Sequence, residues 1–157
     1  MSKYLPFRSN CNLLGVTFMK KIVIFCLIFV FLSFYGCTPI TGTVKDVQVK
    51  NVKSDIYSED DINEAIEVIE DYFVKNFNGC SLKKIAYAGD EITKLESQYQ
   101  SEHSDSNKDV IVLTSDFYVY PKGGDGSLNT DSTYTGWKWI LVRMPNGKWE
   151  HKDHGYG

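Results

Sequence analysis

The sequence has few of the residues that build disulfide frameworks, metal clusters or standard catalytic sites. It contains 4 cysteines, at positions 11, 26, 37 and 80, and no Cys-x-x-Cys pair. Cys80 is alone after position 37, which excludes an internal disulfide in that part of the chain. The G-x-S-x-G, H-E-x-x-H, dinucleotide-binding and phosphate-binding-loop patterns are also absent. We therefore predict no bound cofactor and none of the activities that these motifs indicate.

Positive charge is scarce in most of the chain. All basic residues before Cys37 lie in a stretch without acids, so the part from Cys37 onward has 13 Lys and Arg against 20 Asp and Glu, a formal charge of −7. Nucleic-acid affinity comes largely from basic side chains that neutralise phosphates. An anionic membrane surface attracts basic segments for the same reason. The charge balance therefore excludes nucleic acid as an expected partner.

One long hydrophobic run is present, and it follows Lys20 and Lys21. The run from residue 22 to residue 35 has 14 residues, whereas a helix needs about 20 to cross a bilayer. Two lysines, a short apolar stretch and a small residue before a cut are typical of a bacterial secretory leader. We predict an apolar leader helix that serves as a signal peptide over residues 19–37. Residues 1–18 are interpreted as an upstream extension read in error, with a long n-region as the alternative.

Gly36 and Cys37 end this leader. They resemble the lipobox of lipoprotein signal peptides, in which the cysteine is lipidated and becomes the new N-terminus. Phe34 and Tyr35 stand where a lipobox usually has an aliphatic and a small residue, so an uncleaved signal anchor is the alternative. Either form attaches the chain to the cytoplasmic membrane, through lipid on Cys37 or through the anchor. We expect the remainder on the extracytoplasmic face of that membrane.

The chain after the leader is long enough for one domain. Residues 38–56 are rich in Thr, Lys and Asp and are predicted to form a flexible tether. Within this segment Val47 and Val49 alternate with polar residues, as in a short edge strand. Residues 57–157 are predicted to form a single α+β domain.

Residues 57–79 carry the clearest helix signals. Ser58 is a natural N-cap, and Asp61 follows three residues later as in a capping box. Gly79 can adopt the left-handed conformation that ends helices. The acids of this helix are interpreted as a solvated face. The opposite face is apolar: Ile62, Ala65, Ile66, Ile69, Phe73 and Phe77.

The remaining elements are shorter. A strand is predicted over residues 81–88, and a polar helix over about 91–101 carries Ile92, Leu95 and Tyr99 on one stripe. Three further strands follow over 109–120, 137–144 and about 148–152, the last two joined by a turn at 145–147. This order predicts a long N-terminal helix and a shorter helix packed on a curved antiparallel sheet of about four strands.

Residues 122–136 form the longest predicted connection. Four oxygen-bearing residues recur there at every second position: Asp125, Ser127, Asn129 and Asp131. This spacing resembles the first half of an EF-hand calcium loop. Where an EF-hand loop has its sharp-turn glycine this chain has Thr130, and where the loop has its bidentate glutamate this chain has Gly136. We favour a polar turn whose side chains bond their own backbone, with a cation site as the alternative.

Catalytic candidates are few. Asp116 and Tyr118 share a strand face, and with Tyr134 they are the candidates for acid–base chemistry in an aromatic pocket. An Asp on such a face more often meets water.

His151, Asp153 and His154 form a small cluster near the end of the chain. On a regular strand the two histidines would not share one face. We therefore predict a surface cluster and not a metal site.

About 100 residues from Tyr57 onward carry the series LTSDF…GGDGSLN…STYTGWKWILVR…GKW…GYG. This series resembles an uncharacterised lipoprotein family from Gram-positive bacteria, domain of unknown function 4829. The family has no established activity, so the resemblance implies no functional residues. The order of elements is similar to the cystatin-like cone of the nuclear-transport-factor-2 superfamily, which hosts enzymes and binding modules alike. A parallel strand pair in the sheet would overturn that cone assignment.

These observations lead to two hypotheses of function. The first is a membrane-tethered extracytoplasmic lipoprotein whose domain binds a small molecule or an envelope protein. The alternative is a small cone-fold enzyme in which Asp116 serves as acid or base.

Overall fold

A computed structural model describes residues 41–50, 52–103 and 107–156 of the chain. The predicted upstream extension, the leader and Cys37 lie outside the described residues. Within the described residues, no helix is long and apolar enough to cross a membrane.

Helix α1 spans Glu59–Asn76 and begins with the predicted cap. The Ser58 hydroxyl accepts a hydrogen bond from the backbone N–H of Asp61 at 3.1 Å, and the Asp61 carboxylate accepts from the Ser58 N–H at 3.2 Å. Gly79 follows the helix with φ of 64°, as the left-handed terminator requires. The whole predicted apolar face is buried. The helix, its cap and its buried face are therefore confirmed.

Five strands form one open sheet in the order β1-β2-β3-β4-β5. They are β1 (Gln48–Lys50), β2 (Cys80–Tyr87), β3 (Asp109–Val119), β4 (Ser132–Arg143) and β5 (Glu150–Gly155), with helix α2 (Asp90–His103) between β2 and β3 in the chain. Strands β2 to β5 are antiparallel neighbours, whereas β1 pairs with β2 in parallel. The α+β class is confirmed. The prediction of an antiparallel sheet of about four strands is wrong because of this fifth, parallel strand, which counts against the cone.

The parallel strand comes from the segment predicted to be a flexible tether. Gly42 donates its N–H to the carbonyl of Val74 at 3.1 Å, and Thr43 exchanges backbone hydrogen bonds with Cys80 and Leu82. A Cβ on Gly42 would lie 2.3 Å from the Phe73 carbonyl oxygen, so only glycine fits there. The tether prediction is wrong for residues 41–50, because the open edge of β2 offers unpaired backbone groups that this segment satisfies.

The core lies between α1 and one face of the sheet. Phe73 and Phe77 stack with ring centroids 4.8 Å apart, and Phe77 lies 5.2 Å from the buried ring of Trp139. Each buried aromatic ring removes a large apolar area from water. The position of α1 across the sheet is therefore set by aromatic contacts near its C-terminal end.

Helix α2 contributes little to this core. Thr93 is buried and accepts a hydrogen bond from the N–H of Val112 at 3.4 Å. The stripe predicted for the helix is exposed, at 41% for Ile92, 69% for Leu95 and 56% for Tyr99. The stripe does not face the sheet because α2 meets β3 through the side of the helix that carries Thr93.

Arg143 fixes the N-terminal end of α1 to the sheet. Its Nη1 donates to the Asp61 carboxylate at 2.6 Å, and its Nε donates to Asp109 at 3.1 Å. The guanidinium also lies 4.2 Å from the centroid of the Trp149 ring. Hydrogen bonds from the Ser58 hydroxyl and then from Arg143 lower the pKa of Asp61. One carboxylate thus closes the helix cap and joins the helix to β4.

We predict that Arg143→Ala lowers the free energy of unfolding by about 1–3 kcal/mol, because charged hydrogen bonds to Asp61 and Asp109 are lost. Urea denaturation at neutral pH measures this loss. The pKa of Asp61 is lowered in the folded chain, so its contribution is present above the ordinary carboxyl pKa and is lost as the pH falls through the folded value. The difference in the free energy of unfolding between wild type and Arg143→Ala should therefore become smaller in acid.

The matched control is Lys75→Ala, which removes an exposed ion pair of 3.8 Å with Asp71 in the same helix. Exposed pairs of this kind contribute about 0.3–0.5 kcal/mol. Equal losses for Arg143→Ala and Lys75→Ala would contradict the role given to Arg143.

Candidate functional site

Strand β5 carries a bulge that places both of its histidines on the same face. His151 pairs with Leu141, but Asp153 and not Lys152 pairs with the next residue, Ile140. The extra residue shifts the alternation of side chains by one position. The prediction that the two histidines do not share a face is therefore wrong, because it assumed a regular strand.

The two imidazole rings contact each other directly. Nδ1 of His154 lies 3.0 Å from Nε2 of His151. The His151 ring lies 4.0 Å from the Tyr72 ring of α1, and the His154 ring stacks on Trp139 at 5.1 Å. Burial lowers the pKa of both histidines, and His154 lowers that of His151 further, against the opposite effect of Asp153. Both rings are therefore neutral at pH 7, and one donates its N–H to the other.

A cleft of about 400 Å³ opens beside His154. Its walls come from the last turn of α1, the turn that follows it, the β3–β4 connection, and strands β4 and β5. We call it the histidine cleft and define it by six of its lining residues: Tyr72, Phe77, Asp125, Leu128, Trp137 and His154. The cleft brings together aromatic rings, one carboxylate and one member of the histidine pair.

Trp137 lines this cleft with part of its ring, and the ring carries an unusual polar group. Its indole N–H is buried and has no hydrogen-bond partner in the part of the chain that the structure describes. The neighbouring Trp139 differs, since its N–H donates to the buried Ser115 hydroxyl at 2.7 Å. A buried donor without a partner costs about 1–3 kcal/mol. Such an uncompensated group needs an explanation, and a bound acceptor is one.

The β3–β4 connection is held against the end of α1. Tyr120 donates its N–H to the Gly79 carbonyl at 3.0 Å, and Gly124 donates to the Asn78 carbonyl at 2.7 Å. A Cβ on Gly123 would lie 2.0 Å from the Gly79 oxygen, so the two backbones approach as closely as glycine permits. These contacts fix the position of the cleft's rim.

The residues proposed for a cation do not converge on one point. The Asp125 carboxylate accepts from the N–H and the hydroxyl of Ser127, at 2.9 and 2.5 Å. Asp131 accepts from the Tyr118 hydroxyl, and the backbone N–H of Asn129 donates to the hydroxyl of Tyr134 at 2.7 Å. Strand β4 begins at Ser132, so the connection is also shorter than the predicted 122–136. The Asp125 contact is the polar turn that the sequence favoured.

The three catalytic candidates do not share one face of the sheet. Phe117 pairs with Tyr134 and Tyr118 with Thr133, so Tyr134 faces α1 while Tyr118 lies on the other face of the sheet. The Asp116 carboxylate accepts from the Gly136 N–H at 2.9 Å and pairs with Lys84 at 3.4 Å. It does not line the histidine cleft. Strand β4 bulges beside Asp116, because Ser115 pairs with Trp137 but Phe117 pairs with Tyr134. Asp116 holds this bulge through Gly136, whose φ is 68°.

A larger groove of about 540 Å³ runs along α1. Among its lining residues are the four acids Glu64, Glu67, Glu70 and Asp71. Burial, Glu67 and then Asp71 raise the pKa of Glu70, which reflects repulsion between these carboxylates. A row of acids alone has the character of a solvated face. The histidine cleft is therefore the better candidate site.

Comparisons with known proteins give no match among family models, curated proteins or solved structures. The resemblance to the lipoprotein family stays a prediction, whereas the parallel pairing of β1 with β2 counts against the cystatin-like cone. The geometry of the histidine cleft is therefore the main indication of function.

We predict that Ser115→Ala lowers the free energy of unfolding by about 1–3 kcal/mol, because it leaves the Trp139 N–H buried without an acceptor. The same substitution in a Trp139→Phe background should cost much less, since no N–H remains to be satisfied. Urea denaturation followed by circular dichroism measures the four chains of this cycle.

Ser101→Ala is the control, because this exposed hydroxyl donates only to a carbonyl of its own helix at 2.7 Å. Its effect should stay within about 0.5 kcal/mol. A Ser115→Ala loss that is unchanged by Trp139→Phe would show that the hydrogen bond is not the cause.

Proposed function

We propose that this protein is a membrane-tethered extracytoplasmic binding protein, and that its domain holds a small planar molecule in the histidine cleft. The observation that carries the proposal is a cleft walled by the ring of Trp137 and other aromatic rings, with a rim fixed by backbone hydrogen bonds. When the Trp137 ring turns toward the cleft on binding, a ligand atom accepts a hydrogen bond from its buried N–H, which removes the cost of the unpaired donor.

The size of the cleft favours a small molecule over an envelope protein. Its volume of about 400 Å³ lies in the range of about 300–1,000 Å³ that small-molecule sites occupy. A stable protein interface covers about 800 Å² on each partner. The cleft therefore suits a ligand of one or two rings.

The walls indicate the chemistry of that ligand. Trp137 contacts Tyr156 at 5.1 Å and His154 at 6.0 Å between ring centroids. Aromatic walls favour a flat partner that stacks or meets them edge to face. Asp125 disfavours an anion in the same space. We infer a neutral, planar molecule with one hydrogen-bond acceptor.

The tether is supported by sequence features alone. The short apolar run, its two preceding lysines and Gly36-Cys37 support a lipid anchor at Cys37, with an uncleaved signal anchor as the alternative. The enzyme alternative loses support, because the carboxylate of Asp116 already binds Lys84 and the Gly136 N–H.

We predict that neutral heteroaromatic fragments bind the wild-type chain and that Trp137→Leu abolishes this binding. Leucine removes both the ring wall and the free donor. Saturation-transfer NMR with a fragment panel measures the binding in detergent micelles. Tyr99→Ala is the control, because it removes an exposed aromatic ring on α2 and should leave binding unchanged. Equal binding by Trp137→Leu and wild type would contradict the proposed site.

We predict that Cys37→Ala abolishes incorporation of a metabolic lipid label, because no thiol remains for the thioether link. Label in wild type but not in Cys37→Ala supports the lipid anchor, and Cys80→Ala is the control that keeps Cys37. An unlabelled wild type that still sediments with membranes would favour the uncleaved anchor.

A further inference from the structure

We propose that His151 and His154 together bind a copper(II) ion, through Nε2 of His151 and Nδ1 of His154. This proposal goes beyond the proposed function: it assigns a second ligand at the edge of the histidine cleft and rests neither on the planar molecule nor on the tether.

The separation of the two nitrogens carries the argument. They face each other at 3.0 Å. With metal–nitrogen bonds of about 2.05 Å, this separation corresponds to an angle of about 94° at the metal. That angle is closer to the right angle of square-planar or tetragonal sites than to the tetrahedral angle of zinc. Tetragonal nitrogen and oxygen ligands favour Cu²⁺ or Ni²⁺, and Cu²⁺ binds the more tightly of the two.

The two rings are already held in place by their neighbours. His151 lies against Tyr72 and His154 against Trp139. The bulge in β5 keeps both rings on one face. Little side-chain entropy is therefore lost when a metal ion joins the two nitrogens.

The protons of the pair also permit metal binding. In the neutral pair, only one of the two facing nitrogens carries a hydrogen. When the metal binds, that proton moves to the outer nitrogen of the same ring, which gives the other tautomer. Both facing nitrogens then have a lone pair available for the metal. The metal then replaces one N–H···N hydrogen bond, and no net proton is released.

Charge around the pair favours a cation. The carboxylates of Asp153 and Asp125 both interact electrostatically with His154. In the described part of the chain, no group of three or more His, Cys, Asp or Glu side chains could hold a metal. The proposed site consequently has two protein ligands, and water on the cleft side would fill the other positions. Such a site binds less tightly than a closed one with four protein ligands.

Copper titration of the full chain in detergent micelles tests the proposal. Paramagnetic Cu²⁺ should quench the fluorescence of Trp137 and Trp139, whose rings lie 6.0 and 5.1 Å from that of His154. The electron paramagnetic resonance spectrum should show coupling to two nitrogens. His151→Ala and His154→Ala should each weaken copper binding at least about tenfold. Each variant leaves a single imidazole, so the advantage of two ligands held side by side is lost.

His103→Ala is the matched control, because His103 is the third histidine and lies on α2 against Tyr99. It retains every cysteine and should bind copper like wild type. His154→Gln, with its fold checked by circular dichroism, replaces His154→Ala if the alanine variant unfolds.

Equal quenching in wild type and in a folded His154 variant would overturn the copper site, as would a spectrum without two coupled nitrogens. Fragment binding without copper binding would overturn this inference and leave the proposed function intact. Copper binding without fragment binding would overturn the planar ligand and leave the metal site.

Discussion

The docking of α1 across one face of the sheet is the constraint on which the rest of the structure depends. Arg143 holds the N-terminal end of the helix through Asp61, and stacked phenylalanine rings hold the other end against Trp139. Because both ends are fixed, the turn after the helix has a defined place. That turn receives the β3–β4 connection through two backbone hydrogen bonds. The position of the histidine cleft thus follows from the packing of a single helix.

A one-residue irregularity in β5 then gives the cleft its chemistry. In a regular strand, His151 and His154 would lie on opposite faces of the sheet. The bulge brings both against the aromatic rings under α1, where burial keeps them neutral. Bulges near sheet edges often redirect side chains at functional sites. The same change places His154 in the wall of the histidine cleft and His151 directly beside it.

Stability and function are separated within the aromatic core. Trp139 is fully buried and its N–H is satisfied by Ser115, so it serves packing. Trp137 is only two residues away and faces the same side of the sheet, but its N–H has no partner among the described residues. The fold thus satisfies the N–H of one indole and leaves the N–H of the next one unpaired, which costs free energy of folding. The ring with the unpaired N–H, that of Trp137, lines the histidine cleft.

The sequence by itself determined the local features of this protein. The cap at Ser58, the apolar face of α1, the terminator at Gly79 and the antiparallel strands β2 to β5 follow from short-range patterns that the fold retains. Only the tertiary structure decided which residues form the site. The parallel strand β1 forms because the edge of β2 is open, and the histidine pair forms because β5 shifts its register against β4. Both depend on contacts between distant segments, and a one-residue shift in pairing, which moves side chains to the other face, is not visible in the periodicity of a single segment.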